Sequence, residues 1–392
     1  MNSILTNTQT AFKYKSDANL KQTFFVFWLL KYPLLVKLLT GGANLILKYN
    51  LPFKFLIRHT IFKVFCAGEN LNDALHTIDE LEKYKVKSVL DYVSENESNA
   101  EGYKLNAKRI INNINTLSKS NPGNYVSIKI TGLEDLDLLK AVNDYQNIRN
   151  KTYSERLESL IQSIDEICSA AYENDVIVFF DAEERCVQDV YDYIVEMMME
   201  KYNQTKPIVY NTLQMYLKDR IDYLNKLLVS AKQKDYIPGV KLVRGAYLEK
   251  EREHAKEKGL PSPVFDTKEE TDNSFNTAVK ICIDNSTFVH TCIASHNEES
   301  INYSMQLIKE KKMKDAKKKV VYSQLLGMSD NISFNLANAG FETSKYLPYG
   351  EIRKAVPYLI RRAEENKSVN GQINREVLLL GNEIERRKKQ NA

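Results

Sequence analysis

The sequence predicts an α/β fold: a (βα)8 TIM-type barrel preceded by an N-terminal helical segment. Three observations predict it. From about residue 85 onward, eight short β-branched or aromatic runs recur, each followed by polar residues and a stretch of helical periodicity. Helices between successive strands imply parallel pairing, and eight such units in a row suit a barrel better than a doubly wound sheet. No G-x-G spacing and no Walker A loop occurs, so neither nucleotide-binding fingerprint competes with that reading.

The strands are expected at 88–93, 125–130, 176–180, 208–212, 240–243, 288–293, 320–325 and 344–347. Intervening helices are expected at 187–201, 214–232, 267–284, 298–311 and 351–365. This divides the 392 residues into an N-terminal segment, 1–84, and a barrel domain, 85–392. The segment from about 20 to 65 is apolar, aromatic and basic. Its apolar run, Phe24 to Leu30, ends at Lys31 and Pro33. A membrane span needs roughly 20 apolar residues. The run therefore reads as helices packed on the main domain, with peripheral membrane contact through aromatics and interleaved lysines as the sharper expectation.

Composition narrows the function classes. A net charge of +4 on this length does not point to nucleic acid. Five scattered cysteines (Cys66, Cys168, Cys186, Cys282, Cys292) argue against a disulfide framework and for a reducing compartment. The first 20 residues are polar and lack a secretory signal. The lysines between 311 and 319 and the basic run 386–389 read as solvated helix ends.

Strands of a parallel barrel are covered on both faces, so polar residues within them are informative, above all near their C-terminal ends. In the second strand Val126 and Ile128 share one face, Ser127 and Lys129 the other. Lys129 is either a cation reaching out of the barrel mouth or a functional amine, including a Schiff-base amine. Asp181 ends the third strand, as a helix cap or a site carboxylate. The segment Gly239 to Tyr247 places Lys241 and Arg244 in one strand and follows them with Gly245 and Ala246. Its cations suit an electron-rich ring, and its small residues let phosphates approach backbone amides. His290 and Cys292 share a strand face but lack further soft ligands nearby, so no metal site is expected; His296 and Asn297 suit hydrogen bonding to a ligand. On the last helix of the barrel, Tyr358, Arg362 and Glu365 fall on one face with Arg361 beside them. Two adjacent arginines can grip one carboxylate in bidentate geometry.

The motifs K-L-V-R-G-A-Y (Lys241 to Tyr247) and Y-L-I-R-R-A-E-E-N (Tyr358 to Asn366) resemble those of proline dehydrogenases. Other segments follow in the same order as in that family: Phe65 to Glu69, Lys129, Asp181 to Glu184, Gln214, Ser295 to Asn297, Gln324 to Met328 and Tyr346 to Gly350. The resemblance spans nearly the whole chain. It implies FAD at the C-terminal ends of the strands and L-proline as substrate, oxidised to Δ1-pyrroline-5-carboxylate by hydride transfer to flavin N5. It assigns Arg361 and Arg362 to the proline carboxylate, and Lys129, Asp181, Tyr247, Tyr346 and Tyr358 to the substrate pocket. Glu365 would orient the arginines or the flavin. Gln214, Lys241, Val243, Arg244, Gly245, Ala246, Ser295, His296, Asn297, Gln324 and Leu326 would contact FAD. Bifunctional bacterial members carry Arg at the Lys241 position and Lys at that of Arg244. A monofunctional enzyme that passes electrons to a quinone is expected, cytoplasmic and peripheral on a bacterial inner membrane. Two alternatives stand beside it: a hydroxyproline dehydrogenase, which a tyrosine at 346 disfavours, and a Schiff-base aldolase using Lys129.

Overall fold

A computed structural model describes residues 4–32, 34–37, 41–42, 54–93, 99–120, 123–143, 151–313, 315, 319–356, 358–360 and 370–390. Its eight strands are β1 (Val86–Tyr92), β2 (Tyr125–Ile128), β3 (Ile177–Phe180), β4 (Val209–Gln214), β5 (Gly239–Val243), β6 (His290–Ala294), β7 (Val320–Leu325) and β8 (Glu342–Tyr349). They close into one barrel in the order β1 to β8, with helices between them. The expected α/β class, the barrel and the N-terminal helices are all present.

Strand composition explains the closure. β2 reads Tyr-Val-Ser-Ile and is buried throughout, as is β4. Both faces must then be satisfied without water, which favours apolar residues and leaves few polar ones. Side chains alternate between barrel interior and helix layer. Asn211 of β4 donates to Asp192 on the helix Arg185–Tyr202, at 2.8 Å, so it faces outward. Tyr210, Thr212 and Gln214 therefore face inward. In register, Tyr210 lies beside Gly239 and Thr212 beside Lys241. A Cβ on Gly239 would stand 2.4 Å from the Val209 carbonyl oxygen and 2.7 Å from the Tyr210 ring, so the ring needs glycine there. Tyr210, Phe179 and Tyr125 form an aromatic layer, Phe179 stacking on Tyr125 at 5.0 Å and meeting Tyr210 edge-on at 5.2 Å.

Strand limits shift by up to two residues from those expected, and the helix expected at 214–232 starts later. Gln214 ends a strand rather than opening a helix, and the following helix starts at Arg220. The intervening backbone continues the sheet instead. Met215 and Tyr216 donate N–H groups to the carbonyls of Val243 and Arg244, and Phe265 donates to that of Tyr216. The helix expected from residue 214 gives way there because Met215 and Tyr216 bond to segments distant in sequence.

The chain divides into two compact units, Ser94–Val321 and the combination of Met1–Val93 with Tyr322–Ala392. In the second of these, the helix Asp17–Leu30 is capped by Ser16, whose Oγ accepts the Asn19 N–H. It buries Leu20, Val26, Phe27 and Leu30 in a core shared with Leu379 and Leu380 of the helix Asn370–Gln390. Burying such side chains stabilises by about 1.5–3 kcal/mol each. The opposite face leaves Phe25 51% and Trp28 39% exposed. Among the described residues no helix is long and apolar enough to cross a membrane.

Candidate active site

Polar side chains stand at or just past the ends of five strands of the unit Ser94–Val321: Lys129 after β2, Asp181 after β3, Gln214 at the end of β4, Arg244 after β5 and Ser295 after β6. Asp181 directly follows β3, where its N–H extends the ladder to the Ile128 carbonyl at 2.8 Å. Its carboxylate is the hub. Oδ1 accepts from Lys241 Nζ at 2.7 Å, and Oδ2 accepts from Ser127 Oγ at 2.9 Å. Lys129 Nζ lies 3.8 Å from Oδ2. The two lysines differ in setting: the Lys241 side chain is 6% exposed and that of Lys129 33%. Lys241 also sits over the Phe179 ring, 5.2 Å from its centroid. Burying one lysine is tolerable because its charge is matched by the carboxylate and by the ring face. Thr212 is next to Lys241 in register. Its Oγ1 is buried and has no hydrogen-bond partner among the described residues.

A second layer of contacts holds the loops that follow these strands. Glu183 is half-buried. Its carboxylate accepts from Tyr191 Oη at 2.5 Å, Thr131 Oγ1 at 2.7 Å and the Thr131 N–H at 3.3 Å. Burial pushes its carboxyl above the usual range, against the pull of those bonds and of Lys129. Gln214 donates to the Glu183 carbonyl at 2.6 Å and accepts from the Ala246 N–H at 3.3 Å. Both ends of its amide thus brace protein segments. Gly245 adopts φ +127°, and a Cβ there would lie 1.6 Å from the Tyr216 ring. The expected reason for this glycine was close approach by a ligand; the ring beneath it is a sufficient reason by itself.

Arg244 is similarly committed. It donates to Asp272 at 2.6 Å, Ser295 at 2.8 Å and Ser300 at 2.9 Å, and lies over Phe275 at 4.4 Å. Burial works to raise the Asp272 carboxyl, but hydrogen bonds from Lys268 and Arg244 prevail and hold it below its ordinary value. Ser295 also receives the Asn297 N–H at 3.1 Å, and Asn297 Oδ1 caps the helix Glu298–Glu310. Tyr247 precedes the helix Leu248–Glu257 as its N-cap. His296 and Val243 are half-buried at the ends of their strands.

Within the other unit, β1 and β8 pair in parallel with Val89 opposite Tyr346. Lys345 forms an ion pair with Asp330 at 2.8 Å on the helix Asp330–Asn338, so Tyr346 faces the opposite way, into the barrel. Leu326 donates its N–H to the Tyr346 carbonyl at 3.0 Å. Gln324 accepts from Ser333 on that same helix, at 2.7 Å. Tyr358 is buried in a short helical stretch. Arg361, Arg362 and Glu365 lie outside the described residues.

The structure thus brings Lys129, Asp181 and Lys241 together, and sets Gln214, Gly245 and Ala246 in a braced turn near their strands' ends. Sequence reading missed Ser127, Thr212, Asp272 and Ser300. Ser127 carried a signal, since it shares the Lys129 face two residues earlier. Asp272 and Ser300 sit on helices whose polar positions resemble any solvated face.

A family model described as proline dehydrogenase matches residues 74–375. The mitochondrial proline dehydrogenase 1 of Dictyostelium discoideum is 30% identical over 379 residues, covering 86% of this chain and 66% of that protein. The hydroxyproline dehydrogenase of Xenopus laevis is 28% identical over 414 residues, covering 96% of this chain and 88% of that protein. Among solved structures, proline utilization A from Bdellovibrio bacteriovorus, inactivated by N-propargylglycine, shares the fold with a TM-score of 0.78 at 20% identity. That match covers 93% of this chain but 42% of the solved one, so the chain spans less than half of that larger protein. A family model covering more than half of the sequence, on a closed eight-stranded barrel, establishes that this chain belongs to the proline dehydrogenase family.

Proposed function

We propose that this protein oxidises L-proline to Δ1-pyrroline-5-carboxylate, with FAD as hydride acceptor and a quinone as the final electron acceptor. The observation that carries the reading is Asp181, held by Lys241 at 2.7 Å with Lys129 nearby, at the strand ends where barrel enzymes keep their chemistry. The buried Lys241, a Thr212 hydroxyl with no hydrogen-bond partner among the described residues and a braced glycine turn fit a planar, anionic cofactor. Lys241, Thr212 and the turn Gly245–Ala246 would hold FAD, with Val243, His296, Asn297, Gln324 and Leu326 beside it. Gln214, Arg244 and Ser295 would keep those groups in place. When bound, FAD supplies the two-electron acceptor that no side chain provides.

The chain's own residues bind and orient the substrate. Arg361 and Arg362 would grip its carboxylate, remote from the reacting carbon, so that binding energy fixes orientation. The ring nitrogen must lose its proton before the neighbouring carbon releases a hydride. Two lysine ammonium groups at the site disfavour a further positive charge nearby and so favour the neutral amine. Tyr247, Tyr346 and Tyr358 would pack on the ring, and Glu365 would orient the arginine pair. A peripheral membrane location suits a lipophilic acceptor. Phe25 stacks on Trp28 at 6.2 Å and Trp28 meets Tyr32 edge-on at 5.2 Å, flanked by exposed Lys21 and Lys31.

An anaerobic absorbance scan of the purified protein with and without L-proline tests the reading. A yellow protein whose oxidised flavin band bleaches on addition of proline is expected. A colourless protein, inactive after FAD is added, overturns it. The match to a hydroxyproline dehydrogenase supports 4-hydroxyproline as a second candidate substrate. Comparing kcat/KM for the two imino acids separates them, with proline expected to prevail because Tyr346 occupies space that a ring hydroxyl needs.

A further inference from the structure

We infer that Ser127 is a positioning residue of this site, dividing the Asp181 carboxylate between the two lysines. The inference rests on the proposed reading of the site as catalytic. Ser127 is 5% exposed on the inner face of β2, two residues before Lys129. It donates to Asp181 Oδ2 at 2.9 Å, while Lys241 takes Oδ1 at 2.7 Å. Lys129 stands 3.8 Å from the oxygen that Ser127 occupies, beyond hydrogen-bond reach. Lys129 is also the more exposed of the two lysines, 33% against 6%.

This arrangement has a chemical consequence. A carboxylate oxygen that already accepts a short hydrogen bond is a weaker attractor for a second donor arriving from the same strand. The serine hydroxyl therefore keeps Lys129 from closing onto Asp181 Oδ2 and holds the pair at 3.8 Å. Without the hydroxyl, Oδ2 gains an acceptor position within about 1 Å of travel for Lys129 Nζ. Closer pairing would withdraw that cation from the substrate and tighten its hold on its proton. Lys241 is held by the other oxygen and by the Phe179 ring, so it would move less.

The test combines chemical reactivity with kinetics. In the FAD-loaded protein, competitive acetylation followed by peptide mass spectrometry reads the nucleophilicity of Lys129 against pH. Ser127→Ala is expected to slow Lys129 acetylation several-fold near neutral pH. It should also lower kcat/KM for L-proline by roughly 10-fold to 100-fold, the range that a hydrogen bond to a charged group commands. Ser127→Thr keeps the hydroxyl and should restore most of both. In an Asp181→Asn background, Ser127→Ala should add nothing, because its effect runs through that carboxylate. Unchanged Lys129 reactivity in Ser127→Ala, or an undiminished loss in the Asp181→Asn background, overturns the inference. Failure of the wild-type protein to oxidise proline would count against the functional reading alone, since the acetylation profile does not depend on turnover.

Discussion

At the residue scale, the proposed site is built from side chains that violate the barrel's apolar rule. Lys129, Asp181 and Lys241 stand out in the sequence because an inward charge in a parallel strand needs a partner. Which partner it takes is invisible there: Asp181 meets Lys241, 60 residues away, only because β3, β4 and β5 are neighbours. The arginine pair is where the substrate assignment is most exposed. If Arg361 and Arg362 both hold a dry carboxylate, truncating one costs about 2–5 kcal/mol. Arg362→Met should then lose roughly 30-fold to several-thousand-fold in kcat/KM while keeping its flavin and melting temperature, and Arg361→Met should behave similarly. Lys280→Met is a suitable control, because that side chain is 53% exposed and pairs with Asp284 at the surface. Near-normal turnover in both arginine variants would place the carboxylate elsewhere.

At the element scale, the segment from Gln214 to Gly245 shows why strand and helix limits escape local reading. Leu213 to Leu217 is apolar enough to open a helix. Hydrogen bonds to Val243, Arg244 and Phe265 draw it into the sheet edge instead. The turn that follows β5 depends on the same segment, since the Tyr216 ring fills the space beside Gly245. Gly245→Ala therefore combines a left-handed backbone with a steric overlap. Calorimetry should show it destabilised by at least about 2 kcal/mol, with reduced FAD retention. A wild-type melting temperature would mean that the ring can swing away. The helix Lys268–Asp284 offers a milder comparison. Thr267 and Glu270 form a reciprocal capping box there, and Thr267→Ala should cost about 1 kcal/mol. That cap joins residues three apart, whereas the contact of Gly245 with Tyr216 joins residues distant in sequence.

At the scale of the whole molecule, the unit comprising Met1–Val93 and Tyr322–Ala392 is tied together by a buried ionic network. Asp330 accepts from Tyr14 Oη at 2.7 Å and pairs with Lys345 at 2.8 Å, with Lys15 at 3.6 Å. These partners overcome burial and hold its carboxyl down to about 2. Glu376, from the helix Asn370–Gln390, accepts the Ser329 N–H at 2.6 Å. Burial, reinforced by the Asp330 charge, pushes its carboxyl up to about 7. The two carboxyls have opposite pH signatures. The depressed Asp330 contributes stability that is complete above about pH 4 and lost as pH falls toward 2. Glu376 is protonated more readily when folded, so its contribution declines as pH rises from about 4.5 through 7. Glu376→Gln keeps the accepting oxygen and removes that decline. Denaturant titrations should find the variant more stable by up to about 3 kcal/mol at pH 8 and nearly unchanged at pH 4. Equal stability at both pH values would show that Glu376 is ionised throughout. The same unit carries the exposed aromatic face of the helix Asp17–Leu30. The Phe25→Ala, Trp28→Ala double variant should lose most co-sedimentation with anionic vesicles while retaining turnover with a soluble acceptor. Undiminished sedimentation would assign membrane contact to another surface.

The sequence by itself determined the fold class, because eight periodic βα units leave few arrangements that bury their apolar faces. It also exposed the charged inner-face residues and the arginine motif, since each breaks a local rule of pattern or charge. Only the tertiary structure decided how these groups are shared. Ser127 and Asp181 are 54 residues apart, and Arg244 reaches Ser295 and Ser300 more than 50 residues downstream. Local propensity encodes which side of a strand a residue takes. The identity of its partner follows from barrel closure, which sets strand neighbours and register through the packing of the whole chain.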